Sequence, residues 1–279
     1  MAFDHTSGRL MARPPVRSFA RAAVALLLVA AAACASGPKK PPVGTLEPDK
    51  FLFERGTDAL NQKKWLTSRE YFRQLVDSYP QSMYRADAKL GVGDTYLGEG
   101  TLEANVLAIN EFREFLSFYP THGRADYAQY RLGMSHYYQM HGPERDQTET
   151  LEAIADLTTF VTRYPNSPLL AEGKQHLREA RDRLSDSMYR VGFFYVRSRW
   201  YPGAIDRFAE ILKKDPEYTS RDSVYYYLAQ SLWKVNRPAE ALPYLERLVT
   251  EFEQSEHLAK AQQDIADIKA ELDKKKGSE

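Results

Sequence analysis

Cys34 is the only cysteine of the 279-residue chain, and its type and position point to chemistry more clearly than any other residue. Arginines at positions 13, 17 and 21 precede an apolar run over residues 22–33, and small residues follow the cysteine. A basic segment, a short apolar segment and small residues at the cut are typical of a secretory signal peptide. Twelve apolar residues are too few to span a bilayer, which needs about 20. We therefore predict a cleaved signal peptide over residues 1–33. A start at Met11 instead of Met1 would give it a more ordinary length.

The residues around the predicted cut, Ala32-Ala33-Cys34, are similar to the signals of bacterial lipoproteins. In those proteins the residue after the cut is a cysteine that becomes lipid-modified, although Ala31 stands where leucine is usual. The resemblance implies lipid on Cys34 and attachment to a membrane, since each buried CH₂ contributes about 0.8 kcal/mol and stable anchoring takes two chains. The alternative is ordinary secretion with an incidental cysteine. Residues 34–48 are interpreted as the lipidated cysteine followed by a proline-rich tether.

No catalytic, metal-binding or phosphate-binding pattern stands out in the rest of the chain. None of the six histidines forms a pair with ligand spacing or lies beside an acidic cluster. The two glycines of Leu90-Gly-Val-Gly-Asp94 lack a following Lys-Ser or Lys-Thr and lie in a predicted helix, which favours close helix packing over phosphate binding. The net charge of zero gives no case for nucleic acid. We predict neither an enzyme nor a cofactor other than the covalent lipid.

The segment from Tyr189 to Pro216 is typical of one tetratricopeptide (TPR) repeat, with small and aromatic residues at fixed places on two helices. We expect a turn over residues 200–203. Gly192 and Ala204 allow two antiparallel helices to approach, and Phe208 fills the space between this repeat and the next. Asp215-Pro216 ends the second helix, because proline has no N–H to donate and disfavours α geometry in the residue before it.

Comparable patterns predict five repeats between residues 49 and 254. We divide the folded part into repeats 1 to 3 (49–166), a long helix with repeats 4 and 5 (167–254), and a C-terminal helix with a basic tail (255–279). Ser167 as N-cap and Pro168 at the first helical position predict a helix of about 30 residues. A loop is expected around Gly142 in repeat 3. In the final helix, Ala259, Ile265, Ile268 and Leu272 are predicted to face inward.

The fold class predicted from these patterns is an all-α, TPR-like superhelical solenoid of about five helix pairs with a C-terminal capping helix. Stacked pairs of this kind curve into a superhelix, and the concave face binds extended peptides or helices.

Five segments form a recognisable combination: Thr162-Arg-Tyr-Pro-Asn-Ser-Pro168, Arg181-Asp-Arg-Leu184, Val191-Gly-Phe-Phe-Tyr-Val196, Ala204-Ile-Asp-Arg207 and Tyr119-Pro-Thr-His122. Together they resemble the BamD (YfiO) family of outer-membrane assembly lipoproteins. The likeness covers about residues 49–254, and the first two segments are its more specific part. The C-terminal helix and the insert near Gly142 depart from the family pattern.

The resemblance implies a lipid-anchored protein on the periplasmic side of the outer membrane. It would bind the POTRA domain nearest the barrel of a BamA-like protein through its C-terminal repeats, alongside other lipoproteins of that machinery. Its N-terminal repeats would receive unfolded outer-membrane proteins. The family's arginine at the BamA contact falls on Arg207, whose alternative interpretation is a solvated helix-surface arginine.

Two other classes of function remain open from the sequence. One is a TPR adaptor lipoprotein of another envelope system, such as a pilus secretin pilotin or a cell-wall scaffold. Pilotins of this kind keep a stricter 34-residue period than the 51-residue step from Pro165 to Pro216. The other is an envelope enzyme that carries repeats as a binding module, but the repeats leave no room for a catalytic domain.

Overall fold

The computed structural model describes residues 40–276, which form eleven α-helices and no strand. They are α1 (Pro48–Asn61), α2 (Trp65–Ser78), α3 (Arg85–Glu99), α4 (Leu102–Phe118), α5 (Ala125–Tyr137), α6 (Thr148–Arg163), α7 (Leu170–Arg197), α8 (Tyr201–Lys214), α9 (Arg221–Lys234), α10 (Pro238–Glu251) and α11 (Leu258–Lys276). Each helix packs against the next along the chain. The predicted all-α solenoid of five helix pairs and a capping helix is confirmed. No helix within residues 40–276 is long and apolar enough to cross a membrane.

The pairs are held together by a small residue on the first helix and a large one on the second. Gly192 of α7 lies against the ring of Phe208 of α8, and a methyl group at Gly192 would come within 2.7 Å of that ring. Gly56 and Gly91 enclose the ring of Phe72 from two sides in the same way. Phe72 and Phe208 are essentially inaccessible to solvent. The spacing of glycine and phenylalanine in the sequence thus sets how closely the helices approach.

Four of the five turns inside a helix pair contain one residue with left-handed backbone geometry. These residues are Lys63, Gly100, Arg199 and Asn236, with φ between 56° and 73°. Non-glycine residues adopt this region at a cost of roughly 1–2 kcal/mol, so the packed helices must hold these turns closed. In repeat 3 the predicted loop around Gly142 replaces the tight turn and joins α5 to α6.

Three sequence predictions about helix ends and faces are wrong in detail. The turn of repeat 4 lies at residues 198–200, because Pro202 fits the first turn of α8, where its missing N–H costs nothing. Helix α7 begins at Leu170, not Pro168, and runs for 28 residues. The Ser167 hydroxyl accepts the N–H of Leu169 in the turn before it. Ala259 is exposed, whereas Ala261 and Ile268 are buried and Ile265 and Leu272 are partly buried against the same core.

Candidate partner-binding surface

Arg207 lies on α8 at the edge of the buried stripe that holds the helix in place. Ala204, Phe208 and Ile211 are fully buried, whereas the side chain of Arg207 is 46% exposed. Its Nη1 lies 3.1 Å from a carboxylate oxygen of Glu210, one turn further along. An exposed pair of this kind contributes about 0.2–1 kcal/mol. The guanidinium can therefore exchange Glu210 for a carboxylate of another protein at little cost.

Glu210 also pairs with Lys214, whose Nζ lies 2.6 Å from its other oxygen. The hydrogen bonds from Lys214 and Arg207 lower the pKa of Glu210 below its usual value. Lys214 and the neighbouring Lys213 lie in the last turn of α8, where positive charge complements the helix dipole. The exposed part of α8 thus carries Arg207 and Lys214 paired with Glu210, and the exposed Lys213 next to Lys214 in the sequence.

A repeated hydrogen bond between neighbouring repeats positions these surfaces relative to one another. An aspartate near the start of a first helix, or within α7, accepts a hydrogen bond from the hydroxyl of a serine or threonine in a following turn between repeats. The oxygen–oxygen distances are 2.6 or 2.7 Å for the pairs Asp49–Ser82, Asp126–Ser167, Asp182–Thr219 and Asp222–Ser255. In the remaining case Asp87 pairs with Arg124 at 3.2 Å instead. Sequence reasoning missed these contacts, because their partners lie 33 to 41 positions apart.

The N-terminal repeats contain a buried polar cluster between α3 and α5. The carboxylate of Asp94 accepts from Arg131 Nε at 2.9 Å and from the hydroxyl of Tyr127 at 2.8 and 2.9 Å. Burial raises the pKa of Asp94, while Arg131 and Tyr127 oppose that shift. Arg124 lies over the ring of Tyr127 at 4.5 Å from its centroid. The cluster joins two repeats rather than presenting a free charge.

The side chains of His122, His136, His176 and His257 make polar contacts. Residues 40–276 contain no group of side chains placed to hold a metal ion. His136 is buried, with Nδ1 2.7 Å from Glu149 and Nε2 3.6 Å from Asp156. The pair Gly91 and Gly93 lies inside α3 against the rings of Phe72 and Phe112, in agreement with the close-packing interpretation. Cys34 lies outside the described residues, so the lipidation prediction is not addressed by the geometry.

Two segments that carry the family resemblance have defined places in the fold. The segment 162–168 closes repeat 3, and the segment 181–184 lies in the middle of α7. The family model described as outer membrane lipoprotein, YfiO, matches residues 46–235, from just before α1 to the end of α9. The chain belongs to the YfiO family. A second model, a tetratricopeptide repeat, matches residues 223–255, which hold the last helix pair.

Curated relatives of this YfiO-family chain are described as outer membrane protein assembly factor BamD. The relative from Caulobacter vibrioides is 28% identical over 222 residues, which cover 78% of this chain and 72% of the relative. The relative from Vibrio cholerae is 27% identical over 194 residues, which cover 66% of this chain and 78% of the relative. Among solved structures, the complex of the TPR2AB domain of yeast Sti1 with pHSP90 is 12% identical, covers 80% of this chain and 84% of that one, and has a TM-score of 0.43.

Proposed function

We propose that this chain is a non-enzymatic scaffold in the assembly of β-barrel proteins in the outer membrane. The observation that carries the proposal is the match of the YfiO family over residues 46–235, together with curated relatives described as outer membrane protein assembly factors. The chain would be anchored by lipid on Cys34 and face the periplasm, alongside other lipoproteins of the same machinery.

The C-terminal repeats would bind the POTRA domain of a BamA-like protein, and Arg207 is the residue proposed for that contact. Its guanidinium is half-exposed and held only by an intrahelical pair with Glu210. An arginine offers rigid, bidentate geometry to a carboxylate, which a lysine does not. The buried ring of Phe208 fixes the helix beneath it, so the guanidinium is presented from a rigid element.

The N-terminal repeats would receive unfolded outer-membrane proteins. This assignment is supported by the packing of α1 to α5 around one continuous apolar core, which joins the first two repeats to the first helix of the third. Such surfaces bind extended chains by repeated contacts along their length.

Charge reversal of Arg207 tests the contact with the BamA-like partner. Arg207→Glu should lower co-purification of that partner from detergent-solubilised envelopes at least tenfold, because a carboxylate would face the partner's own. Lys213→Glu is a matched control, since Lys213 is also exposed on α8 and no ion pair of it occurs within residues 40–276. Equal capture by both variants and the unaltered chain would show that Arg207 is not the contact.

Depletion of the chain tests the proposed function as a whole. The amounts of β-barrel proteins in the outer membrane should fall. Unchanged β-barrel proteins with loss of pili would instead favour an adaptor of another envelope system.

Loss of the cysteine tests the proposed lipidation. Cys34→Ser should move the chain from the membrane fraction to the soluble fraction, and retention in the membrane would count against lipidation.

A further inference from the structure

A groove runs along the last third of α7, on a different helix from Arg207. Side chains at positions 186, 189, 190, 193, 194 and 197 form one stripe at helical spacing along it. Its opposite side is formed by residues of the α8–α9 turn, the start of α9 and the α10–α11 turn. The volume of the groove is about 870 Å³. Solenoid proteins use extended concave surfaces for binding.

The floor of the groove is aromatic. The rings of Tyr189 and Phe193 stack with centroids 6.1 Å apart, and Phe193 packs edge-on against Tyr227 at 5.0 Å. These contacts hold the floor rigid. Phe194, on the same stripe, is 62% exposed and offers an uncovered apolar surface. An apolar side chain of a ligand that covers Phe194 would remove apolar surface from water, which favours binding.

The charges of the groove are not equally available. Asp186 accepts the hydroxyl of Tyr218, and a carboxylate oxygen of Glu256 lies 3.5 Å from His257. Arg190 and Arg197 are exposed, and neither has an ion pair or hydrogen bond within residues 40–276. They are two helical turns apart, about 10.5 Å along the axis, with Phe194 between them. The exposed charge on the α7 side of the groove is therefore positive, whereas Glu256, whose side chain is 82% exposed, lies on the opposite side.

We propose that this groove binds an extended segment of another protein in which two carboxylates flank one apolar side chain. In an extended chain, side chains at alternate positions point the same way, and positions i and i+4 lie about 13 Å apart. The two arginine side chains are long enough to meet carboxylates at that spacing. The apolar residue at i+2 would then lie on Phe194. This partner site is separate from Arg207 and does not depend on the proposed BamA contact.

A defined peptide tests the proposal without an unidentified ligand. The probe is a fluorescein-labelled, terminally blocked peptide in which two glutamates flank a leucine at alternate positions. We expect saturable binding to the full mature chain by fluorescence anisotropy. Affinity should fall at least tenfold for Arg190→Glu combined with Arg197→Glu, and at least threefold for Phe194→Ala. Arg145→Glu, an exposed arginine in the loop of repeat 3, should leave affinity within twofold.

A charge-exchanged peptide guards against misinterpreting a folding defect. A peptide with lysines in place of the glutamates should bind the double arginine variant more tightly than it binds the unaltered chain. No saturable binding of the glutamate peptide up to 1 mM would overturn the proposal, as would equal affinity for both peptides. Loss of binding by Arg207→Glu but not by the arginine pair would place the site on α8 instead.

Discussion

Arg178 of α7 donates to both carboxylate oxygens of Asp215, the residue directly after α8, and so joins the two helices of repeat 4. The Nη1–Oδ1 distance is 2.9 Å, and Nη2 reaches the other oxygen. The hydroxyl of Ser185 donates to the same carboxylate at 2.8 Å. Asp215 is 8% exposed. Two parallel bonds from arginine fix direction as well as distance, so this pair sets the position of the end of α8 against α7.

Replacing Arg178 with leucine should destabilise the chain by about 2 kcal/mol. Removal of one partner from a fully buried pair costs about 3–5 kcal/mol, and the side chain of Arg178 is 25% exposed, which reduces the loss. Urea unfolding followed by circular dichroism measures the change. Arg190→Leu is the matched control on the same helix, because Arg190 is exposed and unpaired within residues 40–276. Equal unfolding midpoints for the two variants would contradict the assignment.

The same carboxylate makes stability depend on pH. Burial would raise the pKa of Asp215, but the hydrogen bonds from Arg178 and Ser185 outweigh it and lower that pKa below its usual value. The folded state then binds a proton less readily than the unfolded state, so this contribution is present above about pH 4 and is lost as the pH falls through the folded pKa. The urea midpoint should fall between pH 6 and pH 3. The urea midpoint of Asp215→Asn should fall less over the same range. If the midpoint of both proteins fell equally with pH, Asp215 would not be a source of the pH dependence.

The sequence predicts the helix pairs well because the residues that form them lie close together in the chain. Gly192, Ala204 and Phe208 are within 17 positions and differ sharply in size, so their pattern is visible. Arg178 and Asp215 are 37 positions apart, and charged residues at helix surfaces have many possible partners. The sequence alone therefore does not identify which of these charged residues form an ion pair.

Helix starts and faces show the same limit. Pro202 and Pro168 are equally compatible with a turn or with a first helical turn, and only the packing of α7 and α8 decides between them. Ala259 has the same side chain as Ala261 but lies about 200° away around α11. The exposure of Arg207 can be predicted from the sequence, because Arg207 lies outside the apolar stripe formed by Ala204, Phe208 and Ile211. The groove on α7 cannot be predicted in this way, because residues of two turns that are distant in the sequence form its opposite side.

The fit between Gly192 and Phe208 should be sensitive to a single methyl group. Gly192→Ala places a carbon 2.7 Å from the ring, so helix α7 or the ring must move. Overpacking of this kind costs about 1–3 kcal/mol. Thermal unfolding should show the loss, and Phe208→Leu in the same chain should recover part of it because the smaller side chain leaves room. Gly123→Ala serves as control, since nothing lies within 4 Å of a methyl group there.

A strictly additive double variant would contradict the contact. If Gly192→Ala and Phe208→Leu act independently, their free-energy changes sum, whereas residues in contact couple by 0.5–3 kcal/mol. We expect the coupling free energy to favour the double variant, because Phe208→Leu removes the ring atoms that the new methyl group at position 192 would meet.

Removing the hydroxyl of Ser167 should weaken the junction between repeats 3 and 4. The hydroxyl donates to Asp126 at 2.6 Å and accepts the N–H of Leu169, so Ser167→Ala breaks two hydrogen bonds at the entry to α7. Each contributes about 0.5–1.5 kcal/mol, and a bond to a charged group contributes more. We expect a loss of about 2 kcal/mol in urea unfolding, with faster amide hydrogen exchange in the first turns of α7. Ser167→Thr keeps the hydroxyl and should recover most of the stability. Ser198→Ala, an exposed position in the turn before α8, should change neither measurement. Exchange that rises evenly over all helices would mean that this bond stabilises the whole chain and does not act at one junction.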